Sequence, residues 1–434
     1  MEKWMVAAKK ADFEGWARRF GISPVLARII RNRDITEPEE VEKFLGGTLA
    51  DCYSPWLLKG MEQAVALIQK DLGLGMKIRV IGDYDVDGIC SSYILTRSLR
   101  EMGATVDTAI PHRIRDGYGL NDTLIEEAHS DGIGLIVTCD NGIAAQSQIA
   151  LAKELGMQVV VTDHHEVPFV EDKGRKSEQL PQAEAVIDPK QEGCGYPWPG
   201  ICGAVVAYKL VQALGERMAY GGIAKLLEAL LPFAAMATVC DVMELKDENR
   251  ILVQEGLKRF AACENPGLHA LLEVNGLDPA AVSAYHLGFV LGPCLNATGR
   301  LDTARRALQL LESQDKVSAM TAARELKELN DSRKNMTLQG VEQAVRRLEA
   351  AGGDPDPVIV LYMPEVHESL AGIIAGRVKE KYHHPVFVLT KGEEGVKGSG
   401  RSIEAYHMYE AMSRVKQYFT KFGGHKMAAG LSMR

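Results

Sequence analysis

The chain has 434 residues, a formal net charge of -8 at pH 7 and 46% hydrophobic residues. This length can bury the cores of two or three domains, and the acidic balance argues against a protein that coats nucleic acid non-specifically. No apolar run approaches the roughly 18–20 residues of a membrane span, and the first residues carry charges where a signal peptide is apolar. We therefore expect a globular, soluble, cytoplasmic protein with no membrane partner.

The first part of the chain predicts helices followed by a parallel sheet. Residues 1–76 have a helical pattern, and from Lys77 short apolar strands alternate with amphipathic helices. This alternation predicts an α/β fold with a doubly wound parallel sheet. The predicted strands are 77–82, 105–110, 134–139, 157–162 and 183–188, and the predicted helices are 89–102, 121–130, 143–155, 201–215 and 223–238. Residues 166–200 are predicted to be surface loop around the last of these strands.

The second part predicts a long helix and a smaller α/β unit. Residues 315–353 contain no Pro and have a near-heptad apolar spacing, which favours one helix of more than thirty residues. The stretch "GGDPDP" (352–357) then precedes the strand-like "VIVLYM" (358–363). We place the domain boundary at about residue 353.

Cysteine content and local charge narrow the chemistry. The eight cysteines include no C-x-x-C pair, so we expect reduced, buried thiols. From Val396 to Arg434 there are seven Lys or Arg and two Glu. An acidic body with a basic end would suit a phosphorylated substrate.

Three aspartates stand at alternate positions in "DYDVDG" (83–88). A calcium loop of the EF-hand type needs a Glu at its twelfth position and a helix on each side. Counting from Asp83, the twelfth residue is Ile94, and the preceding "KIRVI" (77–81) is typical of a strand. Calcium is therefore the weaker interpretation.

Other acidic and imidazole side chains follow later strands. Asp140 follows the third predicted strand, Asp163 with His164 and His165 follows the fourth, and Asp241 ends an apolar helical run. Because parallel strands end at one edge of a sheet, we expect these groups to meet there. The candidate metal-binding set is Asp83, Asp85, Asp87, Asp140, His164, His165 and Asp241.

Each member of this set also has a structural alternative. Asp140 in "DNGI" can be a helix N-cap, and a His-His pair can be incidental, as we interpret His383 and His384, which have no carboxylate beside them. Taken together, carboxylates and imidazoles without Cys favour Mn²⁺, with Mg²⁺ as the other candidate. This many ligands suggests two ions, which would lie about 3.5–4 Å apart.

The ordered motifs resemble those of a known family. "DYDVDG", "CDNG", "TDHHE" and Asp241 in "VCDVMEL" resemble the four motifs of the DHH phosphoesterase superfamily. "GPCLNATGRLDTA" (292–304), "GSGRS" (398–402) and "FGGHKMAAG" (422–430) resemble the linker and DHHA1 domain of the RecJ-type single-stranded-DNA-specific 5′-3′ exonucleases. The resemblance implies an N-terminal helical segment (1–76) packed on a DHH domain (77–300), a long helical linker (301–353) and a smaller DHHA1 domain (354–434), with the active-site cleft between the two domains.

The resemblance also implies roles for individual residues. One ion would bind Asp83, Asp85 and Asp140, and the other would bind Asp87, Asp140, His164 and Asp241. The implied catalytic residues are Asp140, His164 and His165, of which His165 would face the scissile phosphate. The implied substrate-binding residues are Arg113, Arg300, Ser399, Arg401, Ser402 and His425.

The implied activity is two-metal-ion hydrolysis of single-stranded DNA to 5′ mononucleotides, in DNA repair and recombination. Single-strand-binding protein and helicase are the implied partners. Two alternatives stay open: an oligoribonuclease or cyclic-dinucleotide phosphodiesterase of the same superfamily, in which a His usually stands where this chain has Ile81, and a non-catalytic replication scaffold. RecJ proteins usually continue into an OB-fold, whereas this chain stops four residues after Gly430. We therefore expect a truncated or reduced homologue. An OB-fold grips single strands, so the resemblance does not imply tight binding to long single strands here.

Overall fold

The computed structural model describes Met5 and residues 7–113, 119–172, 175–301, 303–352, 355–392 and 395–434. The chain divides into two compact units, the first comprising Met1–Asn296 and Ala304–Ala323 and the second comprising Ala297–Thr303 and Arg324–Arg434. The predicted domain limits and the predicted cleft stay predictions.

The N-terminal segment is helical, as predicted. Helix α1 begins after Asp12, whose side chain accepts a hydrogen bond from the Gly15 amide, and α2 begins after Ser23, which caps it through the Leu26 amide. The helices of this segment are α1 (Phe13–Phe20), α2 (Pro24–Asn32), α3 (Pro38–Gly46) and α4 (Met61–Gly73).

The predicted parallel sheet is confirmed. Its five strands pair in the order β2-β1-β3-β4-β7, all parallel, and each lies within two residues of its predicted limits. A separate antiparallel hairpin, β5-β6, lies in the stretch predicted to be loop, so that prediction is wrong there. The strands of the first unit are β1 (Lys77–Ile81), β2 (Thr105–Ala109), β3 (Leu135–Cys139), β4 (Gln158–Thr162), β5 (Phe169–Asp172), β6 (Arg175–Glu178) and β7 (Ala185–Ile187).

Helices cover both faces of this sheet. Helices α6 and α7 pack on the face that carries Ile81, Ile136 and Val159, whereas α5 and α8 pack on the other face. The fold is therefore doubly wound, as predicted. These helices are α5 (Val86–Glu101), α6 (Asp122–Ser130), α7 (Gln146–Glu154) and α8 (Gly203–Arg217), and α9 (Ile223–Cys240) packs on α5 and α8.

Helix α9 corrects the expectation about membrane-spanning segments. Ile223–Cys240 is 18 residues long with a mean hydropathy of 1.7, which is enough by length and composition alone to cross a membrane. It packs against α5, α8 and the following helix, and its residues from Leu230 to Thr238 are buried. This packing is that of a core helix, whose apolar length comes from being enclosed on several sides.

The remaining helices lead to the second unit. The long predicted helix is confirmed as α15, with 36 residues. A π-helical turn (Leu287–Leu291) joins α12 to α13. These helices are α10 (Asp247–Arg259), α11 (Pro266–Val274), α12 (Ala284–His286), α13 (Gly292–Leu301), α14 (Arg305–Glu312) and α15 (Lys316–Ala351).

The second unit contains a mixed five-stranded sheet, in the order β11-β12-β10-β9-β8. Strands β8 and β9 are parallel, and the other pairs are antiparallel. His383 ends α16 in a left-handed conformation, so the predicted turn at His383 and His384 is confirmed. The elements are β8 (Ile359–Tyr362), α16 (Ala371–Tyr382), β9 (Val386–Gly392), β10 (Gly395–Arg401), α17 (Met408–Arg414), β11 (Lys421–Gly424) and β12 (Ala428–Met433).

The cysteine prediction is confirmed in part. All eight thiols are free, and five are buried, whereas Cys52, Cys194 and Cys240 are half-buried. Cys240 is half-buried although it ends the apolar run of α9, so an apolar sequence neighbourhood alone does not set the burial of a thiol.

Candidate metal centre

The candidate site lies where the strand order reverses. The chain places β2 on one side of β1 and β3 on the other, so the switch point lies between β1 and β3. In open α/β sheets, ligands bind at the carboxyl ends of the strands beside this point. Asp83 follows β1 and Asp140 follows β3, so the two residues flank it.

The "DYDVDG" stretch forms a tight strand-to-helix turn. Asp85 is the N-cap of α5, and its Oδ1 accepts hydrogen bonds from the Asp87 amide (3.0 Å) and the Gly88 amide (3.1 Å). A Cβ at Gly88 would lie 2.4 Å from the Asp83 carbonyl oxygen, so only glycine allows the helix and the turn to approach this closely. A strand precedes this turn, which excludes the paired helices of an EF-hand.

The Asp87 carboxylate is fixed by a second helix. It accepts hydrogen bonds from the amides of Gly203 and Ala204, both at 2.7 Å. These amides begin α8, whose positive end favours a negative charge. The side chain is fully buried, so its direction into the site is set by backbone groups.

Asp140 has an unusual backbone. Its φ angle is 60°, in the left-handed region, and the next helix, α7, begins at Gln146 with Ala145 as its N-cap. The N-cap alternative for Asp140 is therefore wrong. The left-handed conformation is unfavourable for most residues but is tolerated by Asp and Asn.

Among the described residues, three groups of side chains have ligand atoms that all lie within 4.8 Å of one another. His164 Nε2 lies 3.0 Å from Asp140 Oδ1, 3.4 Å from Asp87 Oδ2 and 3.6 Å from Asp241 Oδ2. The groups are Asp83, Asp85 and Asp140; Asp87, His164 and Asp241; and Asp140, His164 and His165. The structure thus brings together the seven residues predicted to meet at this edge.

The electrostatics of the cluster suit divalent cations. Burial, together with the neighbouring carboxylates, raises the pKa of Asp83 to about 8 and that of Asp241 to about 7. It also raises the pKa of Asp85, whose carboxyl group is hydrogen-bonded to that of Asp140. Asp83 Oδ2 is buried without a hydrogen-bond partner among the described residues. Oxygen ligands with one imidazole nitrogen fit Mn²⁺ or Mg²⁺, which would offset the repulsion between the carboxylates.

Asp163 has a role that the sequence did not reveal. Its Oδ1 lies 2.8 Å from His165 Nδ1, and its Oδ2 accepts a hydrogen bond from the Ile143 amide (2.9 Å). Burial opposes a charge on His165, but the hydrogen bond and negative charge of Asp163 outweigh it and raise the pKa of His165 to about 9. Asp163 therefore orients His165 and favours its protonated form. The available signal was an acid directly before two His at a strand end.

Asp188 is a buried acid that the sequence pattern did not single out. It follows β7 at the same sheet edge, and its Oδ1 accepts a hydrogen bond from the Lys190 amide (2.8 Å). Its side chain is fully buried, and burial raises the pKa of Asp188 to about 7. The signal was again an Asp after a predicted strand.

We expect Asp188→Asn to stabilise the protein at pH 8 by about 1 to 3 kcal/mol and to have little effect near pH 4. The folded pKa lies above the unfolded value, so ionisation lowers stability increasingly as pH rises from about 4 to 7. Urea unfolding at the two pH values measures the difference. An equal gain at both would show that ionisation of Asp188 has no part in it.

Arg113 lies beside the first aspartate. Its guanidinium lies 4.6 Å from the centre of the Tyr84 ring, and its charge partly offsets the raised pKa of Asp83. The position is consistent with the predicted contact to phosphate. The residues that follow Arg113, 114–118, lie outside the described part of the chain.

In the second unit, the "GSGR" stretch has alternating roles along β10. A Cβ at Gly398 would lie 2.5 Å from Leu389 Cδ2, and one at Gly400 would lie 2.5 Å from Met408 Sδ. These glycines therefore serve close packing, and Ser399 and Arg401 lie on the opposite face of the sheet.

The other predicted substrate-binding residues of this unit differ in setting. Arg300 donates a hydrogen bond to the Ser369 carbonyl (3.0 Å) just before α16, and Arg401 packs on Gly372 in the same helix. His425 is exposed in the turn between β11 and β12. Ser402 is buried and donates to the Tyr406 carbonyl (2.7 Å), an arrangement that stabilises the turn after β10. The substrate-binding roles stay predictions.

The sequence of this chain is similar to two known domain families and to known proteins. A model of the DHH family, N-terminal domain, matches residues 77–238, and a DHHA1 domain model matches residues 356–434. The single-stranded-DNA-specific exonuclease RecJ of Bacillus subtilis (strain 168) is 35% identical over all of this chain, which spans 53% of that relative's length. RecJ of Escherichia coli (strain K12) is 38% identical over 95% of this chain and 72% of its own length.

Solved structures of such proteins contain divalent cations. A crystal structure of exonuclease RecJ bound to manganese has a TM-score of 0.74 and 34% identity, covering 87% of this chain and 91% of that one. A structure of Thermus thermophilus RecJ with Mg²⁺ has a TM-score of 0.73 and 30% identity, covering 97% of this chain and 56% of that one.

The fold is thus that of the DHH class. Within that class, the chain belongs to the RecJ family of single-stranded-DNA-specific exonucleases, which are metal-dependent hydrolases.

Proposed function

We propose that this chain degrades single-stranded DNA from the 5′ end to 5′ mononucleotides, using two Mn²⁺ or Mg²⁺ ions. The observation that supports this most is the pair of ligand groups at the switch point, Asp83, Asp85 and Asp140 beside Asp87, His164 and Asp241. Because Asp140 Oδ1 lies 3.0 Å from His164 Nε2, Asp140 is placed to serve both ions.

The residues of the cluster and Arg113 would have distinct roles in the reaction. The aspartates and His164 would hold the cations, which when bound would stabilise charge on a phosphoryl centre and acidify water. His165, held by Asp163, donates a hydrogen bond to a non-bridging phosphate oxygen as negative charge develops there. Arg113 supplies a guanidinium for a neighbouring phosphate.

Substrate contacts in the second unit belong to the same proposal. Arg300, Ser399, Arg401 and His425 would contact the phosphates of the strand, including its 5′ end, whereas the packing of Ser402 supports an indirect role. We also propose a cytoplasmic location, a role in repair and recombination, and partnership with single-strand-binding protein and a helicase.

The test is hydrolysis of 5′-phosphorylated single-stranded and duplex oligonucleotides with Mn²⁺, beside the dinucleotide pApA and pyrophosphate. We expect mononucleotides to be released from the 5′ end of the single strand in preference to the duplex. Turnover of pApA alone would instead favour the oligoribonuclease alternative. Binding of single strands without turnover of any of these substrates would favour the scaffold alternative.

A further inference from the structure

Two aromatic side chains are stacked on each other and exposed to solvent in the first unit. The rings of Tyr285 and Phe289 lie 5.1 Å apart between centroids with an interplanar angle of 26°. Tyr285 is 63% exposed and Phe289 is 68% exposed. Packing inside the protein therefore does not account for these large apolar surfaces.

The backbone beneath the pair is irregular. Phe289 lies within the π-helical turn Leu287–Leu291, whose end residues, Leu287 and Leu291, are fully buried. π-helical turns are rare and frequently occur at functional sites. The buried leucines anchor the turn while the phenyl ring points to solvent.

The same turn is attached to the metal-ligand cluster. Cys240 Sγ donates a hydrogen bond to the Leu287 carbonyl (3.4 Å), and a Cβ at Gly292 would lie 2.4 Å from the same sulfur. The next residue after Cys240 is Asp241, whose carboxylate faces His164. The aromatic pair is thus carried on a segment fixed to the residue beside a candidate ligand.

We infer that Tyr285 and Phe289 form a stacking platform for a nucleobase of the strand whose phosphate lies at the cluster. The inference rests on the proposed function and adds a base-binding subsite to it. Aromatic rings stack on every base because each has a π face, which suits an enzyme that moves along a strand of any sequence. The exposed ring edges and faces carry no charge, so the subsite would add affinity without a phosphate contact.

The test compares Phe289→Ala, Tyr285→Ala and Phe289→Trp with the wild-type chain. We expect each Ala variant to raise KM for a 5′-phosphorylated oligothymidylate on the order of tenfold, with a small change in kcat. Phe289→Trp keeps a stacking surface and should restore KM. The dependence of log KM on log salt should keep its slope, because no phosphate contact is lost.

Two controls separate stacking from general damage. Leu74→Ala removes an exposed side chain (65%) at the opposite, amino edge of the sheet and should leave KM unchanged. An oligonucleotide with abasic residues, used as a competitor, should inhibit the wild type and Phe289→Ala equally.

If the wild type is active and KM is unchanged in both Ala variants, the stacking inference is overturned but the proposed function is not. If the wild type neither binds nor degrades single strands, the proposed function itself is overturned. If Phe289→Ala loses only binding to another protein, the inference is also overturned, and the aromatic pair is assigned to a protein partner.

Discussion

Asp140→Asn is expected to lower kcat for phosphodiester hydrolysis by about 10³-fold, the scale on which a preorganised electrostatic contact acts. Asp140 belongs to the first of the two proposed ion groups, and its Oδ1 lies 3.0 Å from His164 Nε2 in the second, so its replacement should disturb both proposed ion positions. Asn tolerates the left-handed backbone at φ 60°, so the fold should be retained. Steady-state turnover at saturating Mn²⁺ measures the effect.

Stability provides an independent check on the same variant. Asp140 is buried among other carboxylates, and burial raises its pKa well above the usual range. In EDTA near neutral pH, Asp140→Asn should therefore unfold at the same temperature as the wild type or higher, because the variant has no carboxyl group whose ionisation favours the unfolded chain. The matched control is Asp122→Asn, which should keep full turnover. The Asp122 carboxylate lies outside the cluster and accepts a hydrogen bond from Gln148. Undiminished turnover by Asp140→Asn would exclude the proposed ion positions.

His165→Ala is the second variant with a large expected effect, a loss of about 10²- to 10³-fold in kcat. The imidazole would donate to the phosphate as charge develops, so KM should change much less than kcat. Asp163→Asn should lower kcat by about 10- to 100-fold, because the amide no longer fixes or charges the ring.

A double-mutant cycle separates positioning from independent action. If Asp163 acts through His165, the double variant should be no slower than His165→Ala alone. Losses that multiply would mean that Asp163 contributes by another route. Each variant should unfold at nearly the wild-type temperature, because residue 163 still offers an oxygen that accepts the hydrogen bond of the Ile143 amide. Thermal unfolding measures this.

The sequence predicted the sheet and the cluster for one physical reason. Short β-branched runs separated by helices specify parallel strands, and parallel strands end at one edge whatever their order. An acid directly after such a run, as at Asp83 or Asp140, was therefore enough to predict where it would lie. The ordered motifs then made the family recognisable over most of the chain.

Other features of the structure could not be predicted, because they depend on tertiary contacts and exposure that the periodicity of the sequence does not reveal. The β5-β6 hairpin is largely exposed, so it lacks the alternation of a half-buried strand. The left-handed backbone of Asp140 and the hydrogen bond between Asp163 and His165 are set by tertiary contacts. The stacked pair of Tyr285 and Phe289 was missed because an exposed aromatic residue and a buried one look alike in sequence.

The most direct test is anomalous diffraction from crystals grown with Mn²⁺. We predict two peaks about 3.5–4 Å apart, one ligated by Asp83, Asp85 and Asp140 and the other by Asp87, His164, Asp241 and the shared Asp140. Asp140→Asn crystals should lose at least one peak. Absence of manganese from these ligands in the wild type would contradict the proposed two-ion site.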